Sequence, residues 1–186
     1  DEARALAAYS GWGPCADAFS GRGEWAGTLA RLEELLSPDE LASARSSVLT
    51  AYYTPEEVVR AMYGTLGRMG FGGEGVADDV LEPSCGVGNF MLAAPEGYRF
   101  RAVEVDPLSA AIAQALSPDA EVVCAPFEEC AFPEGSFSAV IGNVPFSDSI
   151  KIAYPGVGTL AIHDYFVLRS LDAVRPGGVV AVVASR

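Results

Sequence analysis

Asp79-Val80-Leu81-Glu82-Pro83-Ser84-Cys85-Gly86-Val87-Gly88-Asn89-Phe90 is the stretch that decides the fold. A short apolar strand, 79–82, runs into a loop with two glycines and then into chain that can start a helix. Downstream the pattern repeats. Phe100–Val105 reads as a second strand, followed by a helix at about 107–116. Glu121–Cys124 reads as a third strand and Phe137–Gly142 as a fourth. A helix is expected over about 161–174, and a fifth strand over about 178–184. Strands alternating with helices predict an α/β, Rossmann-like, doubly wound and mainly parallel sheet with helices on both faces. Upstream, Thr54-Pro55-Glu56-Glu57 is a helix-start signal. The helix it opens would run to about Met69, with Val58, Val59, Met62, Leu66 and Met69 on one face. Residues 1–50 read as a separate helical region, with breaks at Gly11-Trp12-Gly13-Pro14 and Gly21-Arg22-Gly23. Ser37-Pro38-Asp39-Glu40 there has the form of a capping box opening a helix over 38–48. Trp12 and Trp25 are expected to pack this region. The division is thus 1–50 and 51–186.

The bulk numbers bound what such a chain does. Its 186 residues are 50% hydrophobic, 10% aromatic and 20% charged, which suits one packed domain and not a disordered segment. No apolar run approaches the roughly 18–20 residues that cross a bilayer, and no signal peptide is visible. The cysteines Cys15, Cys85, Cys124 and Cys130 form no C-x-x-C pair, and His163 is the only histidine, so no metal site is expected. Such scattered cysteines fit a reducing cytoplasm, and all but Cys85 are expected to be small buried hydrophobes. The net charge of −13 argues against the chain alone gripping nucleic acid, because phosphate contacts require a basic surface. The first residue, Asp1, and the last, Arg186, which directly follows strand-like sequence, both read as cut points in a longer protein.

The Gly-containing loop carries the first chemistry. In a doubly wound sheet, ligands bind at the carboxyl ends of the strands. Gly86 and Gly88 let the backbone turn tightly and approach a ligand. A dinucleotide loop wants a third glycine three residues later, where Met91 stands. About twenty residues on, the second strand ends in Val103-Glu104-Val105-Asp106, and a carboxylate there can accept both ribose hydroxyls. Val105 would floor an adenine ring and Phe127 would cover it. That set suits an adenosine without phosphates, and S-adenosylmethionine is one.

Gly142-Asn143-Val144-Pro145-Phe146, after the fourth strand, carries the second. An exocyclic amine on adenine is a poor nucleophile, because its lone pair is delocalised into the ring. Two acceptors on its N–H groups hold the nitrogen towards a tetrahedral shape. The Asn143 side-chain oxygen and the Val144 carbonyl can be those acceptors. Pro145 restricts Val144 to extended geometry. Phe146 can stack on a base turned out of a duplex. Methyl transfer needs no covalent nucleophile, so the work is positioning.

Tyr53-Thr54-Pro55, Glu82 to Phe90, Val103 to Asp106, Ala125-Pro126-Phe127 and Asn143 to Phe146, in this order, resemble the amino-group DNA methyltransferases whose Tyr-Thr-Pro segment comes first. The N-terminal region resembles the methylase part of helicase–methylase proteins of conjugative mobile elements. Type I restriction–modification subunits are more distant relatives. The resemblance implies a class I S-adenosylmethionine-dependent methyltransferase core, cut after its fifth strand, that methylates adenine N6 in DNA. It implies that Tyr53 and Thr54 contact the cofactor, with Thr54 at the methionine end. Glu82, Ser84, Gly86 and Gly88 would shape that pocket, Glu104 would hold the ribose, and Val105 with Phe127 would sandwich the adenine. Asn143, Val144, Pro145 and Phe146 would hold the target base. Two positions depart from the family. Val144 replaces a proline and brings an N–H that needs a partner. Pro126 stands where an aspartate usually reads the cofactor's amino group, so either Glu128 or another group does so or cofactor affinity is weaker.

Glutamine amides of proteins and RNA bases are alternative substrates for the same chemistry, and the acidic charge suits a protein substrate. A cofactor-binding module without turnover is a third reading. DNA would be held mainly by regions absent from this chain, which alone is expected to be inactive on DNA. His163 reads as structural. Target sequence and oligomeric state are not legible.

Overall fold

The computed structural model describes residues 2–9, 11–48, 54–73 and 77–184, so Tyr53 lies outside the described residues. Five parallel strands form the central sheet: β1 (Asp78–Glu82), β2 (Tyr98–Glu104), β3 (Glu121–Cys124), β4 (Phe137–Asn143) and β7 (Val174–Val183), in the order β3-β2-β1-β4-β7. β1 and β4 are apolar over adjacent residues because a central parallel strand is covered on both faces. Val80 faces a core built with Val59, Tyr63, Leu66, Phe90 and Phe100, whereas Leu81 faces one built with Val103, Phe127, Phe137, Val140 and Phe166. α4 (Glu56–Arg68), α5 (Asn89–Leu92) and α6 (Pro107–Leu116) contribute to the first core, and α7 (Ile162–Ala173) to the second.

The structure departs from the sequence reading in four places. The α4 stripe is Val59, Tyr63 and Leu66, while Val58 and Met69 are exposed. Tyr63 belongs to the core because its hydroxyl donates to the Phe90 carbonyl at 2.8 Å, which satisfies the only polar group on an otherwise apolar ring. Residues with no expected element form an antiparallel hairpin, β5 (Lys151–Tyr154) and β6 (Gly158–Ala161), directly after the Asn143 loop. Tyr154 anchors the hairpin by donating to Asp172 of α7. β7 starts at Val174 and not near 178, with an irregularity opposite 137–139. Cys15 and Cys124 are exposed and Cys130 is half-buried, so the expectation of buried cysteines fails for these three. Cys124 is exposed because it ends the outermost strand, β3.

The N-terminal segment contains α1 (Glu2–Ala7), two 3-10 turns, α2 (Ala26–Leu35) and α3 (Pro38–Ser47). The capping box forms as expected: the Ser37 side chain accepts the Glu40 N–H, and the Glu40 carboxylate accepts the Ser37 N–H. Trp12 packs edge-on to Phe19 at 5.5 Å. α3 reaches the sheet's carboxyl edge, where Ser43 Oγ donates to Asp106 Oδ1 at 2.5 Å. Among the described residues, no helix is long and apolar enough to cross a membrane.

Candidate functional site

From β1 the chain crosses to β2 on one side and later returns to β4 on the other, so β1 and β4 flank the point where strand order reverses. Loops leaving two such strands diverge and open a crevice between them. A cavity of about 250 Å³ lies there. Its wall combines Thr54, Glu82, Ser84, Gly86, Glu104, Val105 and Phe127 with Asn143, Val144, Pro145 and Phe146. The two loops touch, because Ser84 Oγ donates to the Asn143 carbonyl at 2.7 Å.

On the β1 side, Gly86 and Gly88 both take positive φ, 55° and 88°. Gly86 forms wall, and its N–H donates to Glu104 Oε2 at 2.8 Å. Gly88 is not in the wall; it is the left-handed residue that opens α5, where an added Cβ would meet Met91 Cε at 2.8 Å. Gly88 thus packs the turn behind the wall. Glu104 Oε1 accepts the Asp106 N–H at 2.9 Å, so each carboxylate oxygen already holds one backbone donor and keeps a lone pair for another. Val105 is 52% exposed and forms one wall, while Phe127 is buried against Phe166, ring centroids 4.8 Å apart. Pro126 and Glu128 both reach the cavity.

Thr54 does not cap α4: the cap is Pro55, with no side-chain hydrogen bond, and the helix starts one residue later than the cap reading implied. The Thr54 hydroxyl instead lies buried in the cavity wall, with no hydrogen-bond partner among the described residues. Tyr63 ties this helix to the loop through Phe90. Sequence reading missed Ser47, which α3 brings to the wall, and Ile162 and Phe166 of α7. The last two carry a signal, a four-residue spacing that puts both on one helix face. Ser47 carries none, because its place depends on how α3 docks.

On the β4 side, the Val144 N–H donates to the Val183 carbonyl at 3.0 Å and lengthens the β4–β7 ladder by one bond. The partner this departure required is thus strand β7. Val144→Pro is expected to lower stability by about 1 kcal/mol, the net contribution of one such bond. Chemical denaturation of the two proteins measures the difference.

Residues 81–147 match the family described as "Methyltransferase domain". Over 83% of this chain and 56% of its own length, a protein described as a class I S-adenosylmethionine-dependent methyltransferase, from Listeria monocytogenes, superposes with a TM-score of 0.51 at 16% identity. The fold is that of the class I S-adenosylmethionine-dependent methyltransferases. "Defense against restriction protein B" of Escherichia phage P1 is 34% identical over 142 residues, which cover 73% of this chain and 6% of that protein. "Type II methyltransferase M.XamI" of Xanthomonas campestris pv. amaranthicola is 28% identical over 160 residues, 73% of this chain and 29% of that protein. The chain therefore spans less than a third of either curated relative.

S-adenosylmethionine is the cofactor this methyltransferase fold serves, and the wall fits it. Among the described residues, Glu82 Oε2 and Thr54 Oγ1 are buried with no hydrogen-bond partner, as a cationic, hydroxyl-rich and amine-bearing ligand requires. Burial, and then the neighbouring Glu104, push the Glu82 carboxyl well above its ordinary value. Burial also raises Glu104, partly offset by the N–H groups of Asp106 and Gly86. The sign for stability follows from linkage. A carboxyl raised in the folded state favours folding fully below its unfolded value of about 4.5, and that contribution is lost as pH rises through the folded value. Glu82→Gln removes this component. Denaturation midpoints of the ligand-free protein should fall more steeply than those of the variant as pH rises above the unfolded value; parallel profiles would contradict the assignment.

Proposed function

We propose that this chain is the cofactor-binding and catalytic core of an adenine-N6 DNA methyltransferase, acting in the cytoplasm as part of a larger protein. The observation that carries the reading is the junction of the Glu82–Gly86 loop with Asn143-Val144-Pro145-Phe146 in one cavity, joined by the Ser84–Asn143 hydrogen bond. When bound, S-adenosylmethionine supplies an activated methyl on a sulfonium. The chain's own groups do the rest. Glu104 and Val105 hold the nucleoside end, with Phe127 closing it. Thr54 and Glu82 provide polar contacts deeper in the cavity. Asn143 and the Val144 carbonyl accept from the two N–H groups of the target amine, and Phe146 stacks on its ring. Holding both partners in line removes most of the orientational entropy of the step.

DNA as the substrate draws support from the order of the loops and from the names of the two curated relatives, one a type II methyltransferase and one a phage protein concerned with restriction. A net charge of −13 assigns phosphate gripping to regions outside this chain. That same charge favours a second reading, a glutamine amide of a protein as methyl acceptor. The complete gene product, given S-adenosylmethionine labelled in its methyl group with unmethylated DNA, RNA or protein, should label DNA at adenine N6. Label only in protein would replace the first reading by the second.

A further inference from the structure

The peptide unit between Asn143 and Val144 is held at both ends. Its carbonyl accepts from Ser84 Oγ at 2.7 Å, and its N–H donates to the Val183 carbonyl at 3.0 Å. The two polar groups of one peptide unit point in opposite directions, and β4 lies between β1 and β7, so one bond reaches to each side. On the β7 side the bond continues an ordinary ladder, in which Asn143 pairs with Val183. On the β1 side the ladder stops earlier. Among the described residues β1 pairs with β4 at Val80–Ala139 and Leu81–Val140, and β1 ends at Glu82. Pro83 follows and has no N–H to give. The Ser84 hydroxyl supplies the donor that the backbone of β1 no longer does. That hydroxyl is itself fixed, because the next two N–H groups donate to β2. Cys85 reaches the Val103 carbonyl at 2.9 Å, and Gly86 reaches Glu104 Oε2 at 2.8 Å.

Resting on the methyl transfer to a planar amine described above, we propose that Ser84 is a positioning residue for that step. It acts through the Asn143–Val144 peptide unit and not as a contact of the cofactor. The two acceptors assigned to the target amine, the Asn143 side-chain oxygen and the Val144 carbonyl, lie on either side of this unit. Three soft backbone torsions separate them: ψ of Asn143, φ of Val144 and ψ of Val144. Pinning the peptide plane at both ends fixes the first two. Pro145 restricts the third. The Val144 side chain, 1% exposed, packs in the core with Leu81, Val103, Phe127 and Phe166 and holds the residue against rotation. The spacing of the two acceptors is therefore set before the amine arrives. Releasing one pin leaves both acceptors in the site but lets the spacing drift, and a misplacement of about 1 Å costs about 10²-fold in rate. Ser84 makes and breaks no bond in the reaction.

Ser84→Ala and Ser84→Thr in the complete gene product test this. Single-turnover transfer at saturating labelled S-adenosylmethionine, to the acceptor that takes label, is measured beside equilibrium binding of S-adenosylmethionine. Ser84→Ala should slow transfer about 10²-fold and shift cofactor affinity less than about twofold. Ser84→Thr keeps the hydroxyl and should restore most of the rate. A double-mutant cycle with Asn143→Ala reads the route of the effect. With the Asn143 side chain gone, Ser84→Ala should slow the residual transfer by much less than about 10²-fold, because groups that act as a unit are not additive. Weakened cofactor binding with unchanged transfer at saturation overturns the proposal and gives Ser84 to the cofactor. Effects that multiply in full across the cycle overturn it too, since a merely structural role acts whether or not Asn143 is present. Where Ser84→Ala folds poorly, rates are taken per molecule that binds cofactor, so misfolded protein does not count as slow transfer. If the unmodified protein labels no DNA, RNA or protein, the methyl-transfer reading itself fails, an outcome distinct from Ser84→Ala transferring as fast as the unmodified protein.

Discussion

Asn143→Ala is expected to lower methyl transfer by roughly 10³-fold while leaving cofactor affinity largely intact, in the range for loss of one preorganised polar group at a reacting centre. Asn143 ends β4, and its backbone pairs with Val183 and accepts from Ser84. Those bonds run through the backbone, which alanine keeps. What disappears is the side-chain acceptor that, in the proposed geometry, keeps the amine's lone pair out of its ring. Single-turnover transfer and equilibrium binding of S-adenosylmethionine, measured on the same preparation, separate the two effects. Loss of cofactor binding would reassign Asn143 to the cofactor half of the cavity.

Glu104→Ala should act on the other half and with the opposite pattern. The carboxylate accepts the N–H groups of Gly86 and Asp106, so its removal strips acceptors from two backbone donors. A buried group left unsatisfied costs about 1–3 kcal/mol, which sets the expected loss of stability. Hydrogen bonds to a charged group contribute about 1.5–3 kcal/mol, so affinity for the adenosyl ligand should fall about 10²-fold. Because the ribose is common to both, S-adenosylmethionine and S-adenosylhomocysteine should weaken by the same factor. Unequal losses would mean that Glu104 does not read the ribose.

The parallel sheet was legible because its signals are local and strong. Val80-Leu81 and Ala139-Val140-Ile141 are continuous apolar runs, and each is followed at once by a loop carrying glycine, asparagine or an acid. The Ser37 capping box was legible for the same reason. Side-chain competition decided the failures. Tyr63 looks polar by its hydroxyl but is core once Phe90 accepts that proton, so the buried face of α4 is rotated away from Val58 and Met69. The hairpin over 151–161 has only four-residue strands around Pro155-Gly156, and its place depends on Tyr154 meeting Asp172 across α7. The cavity gathers residues from 54 to 166, and most of those projecting from strand ends were visible. Ser47 and the packing role of Gly88 were not, since each depends on contacts with another element.

The claim on which the rest depends is that cofactor and target meet between Glu104 and Asn143. A crystal structure of the protein with S-adenosylhomocysteine tests it most directly. The account predicts the ribose hydroxyls on Glu104, the adenine against Val105, and the sulfur end directed at Asn143 and Val144. Ligand density elsewhere, or a sulfur end turned away from Asn143, would contradict it.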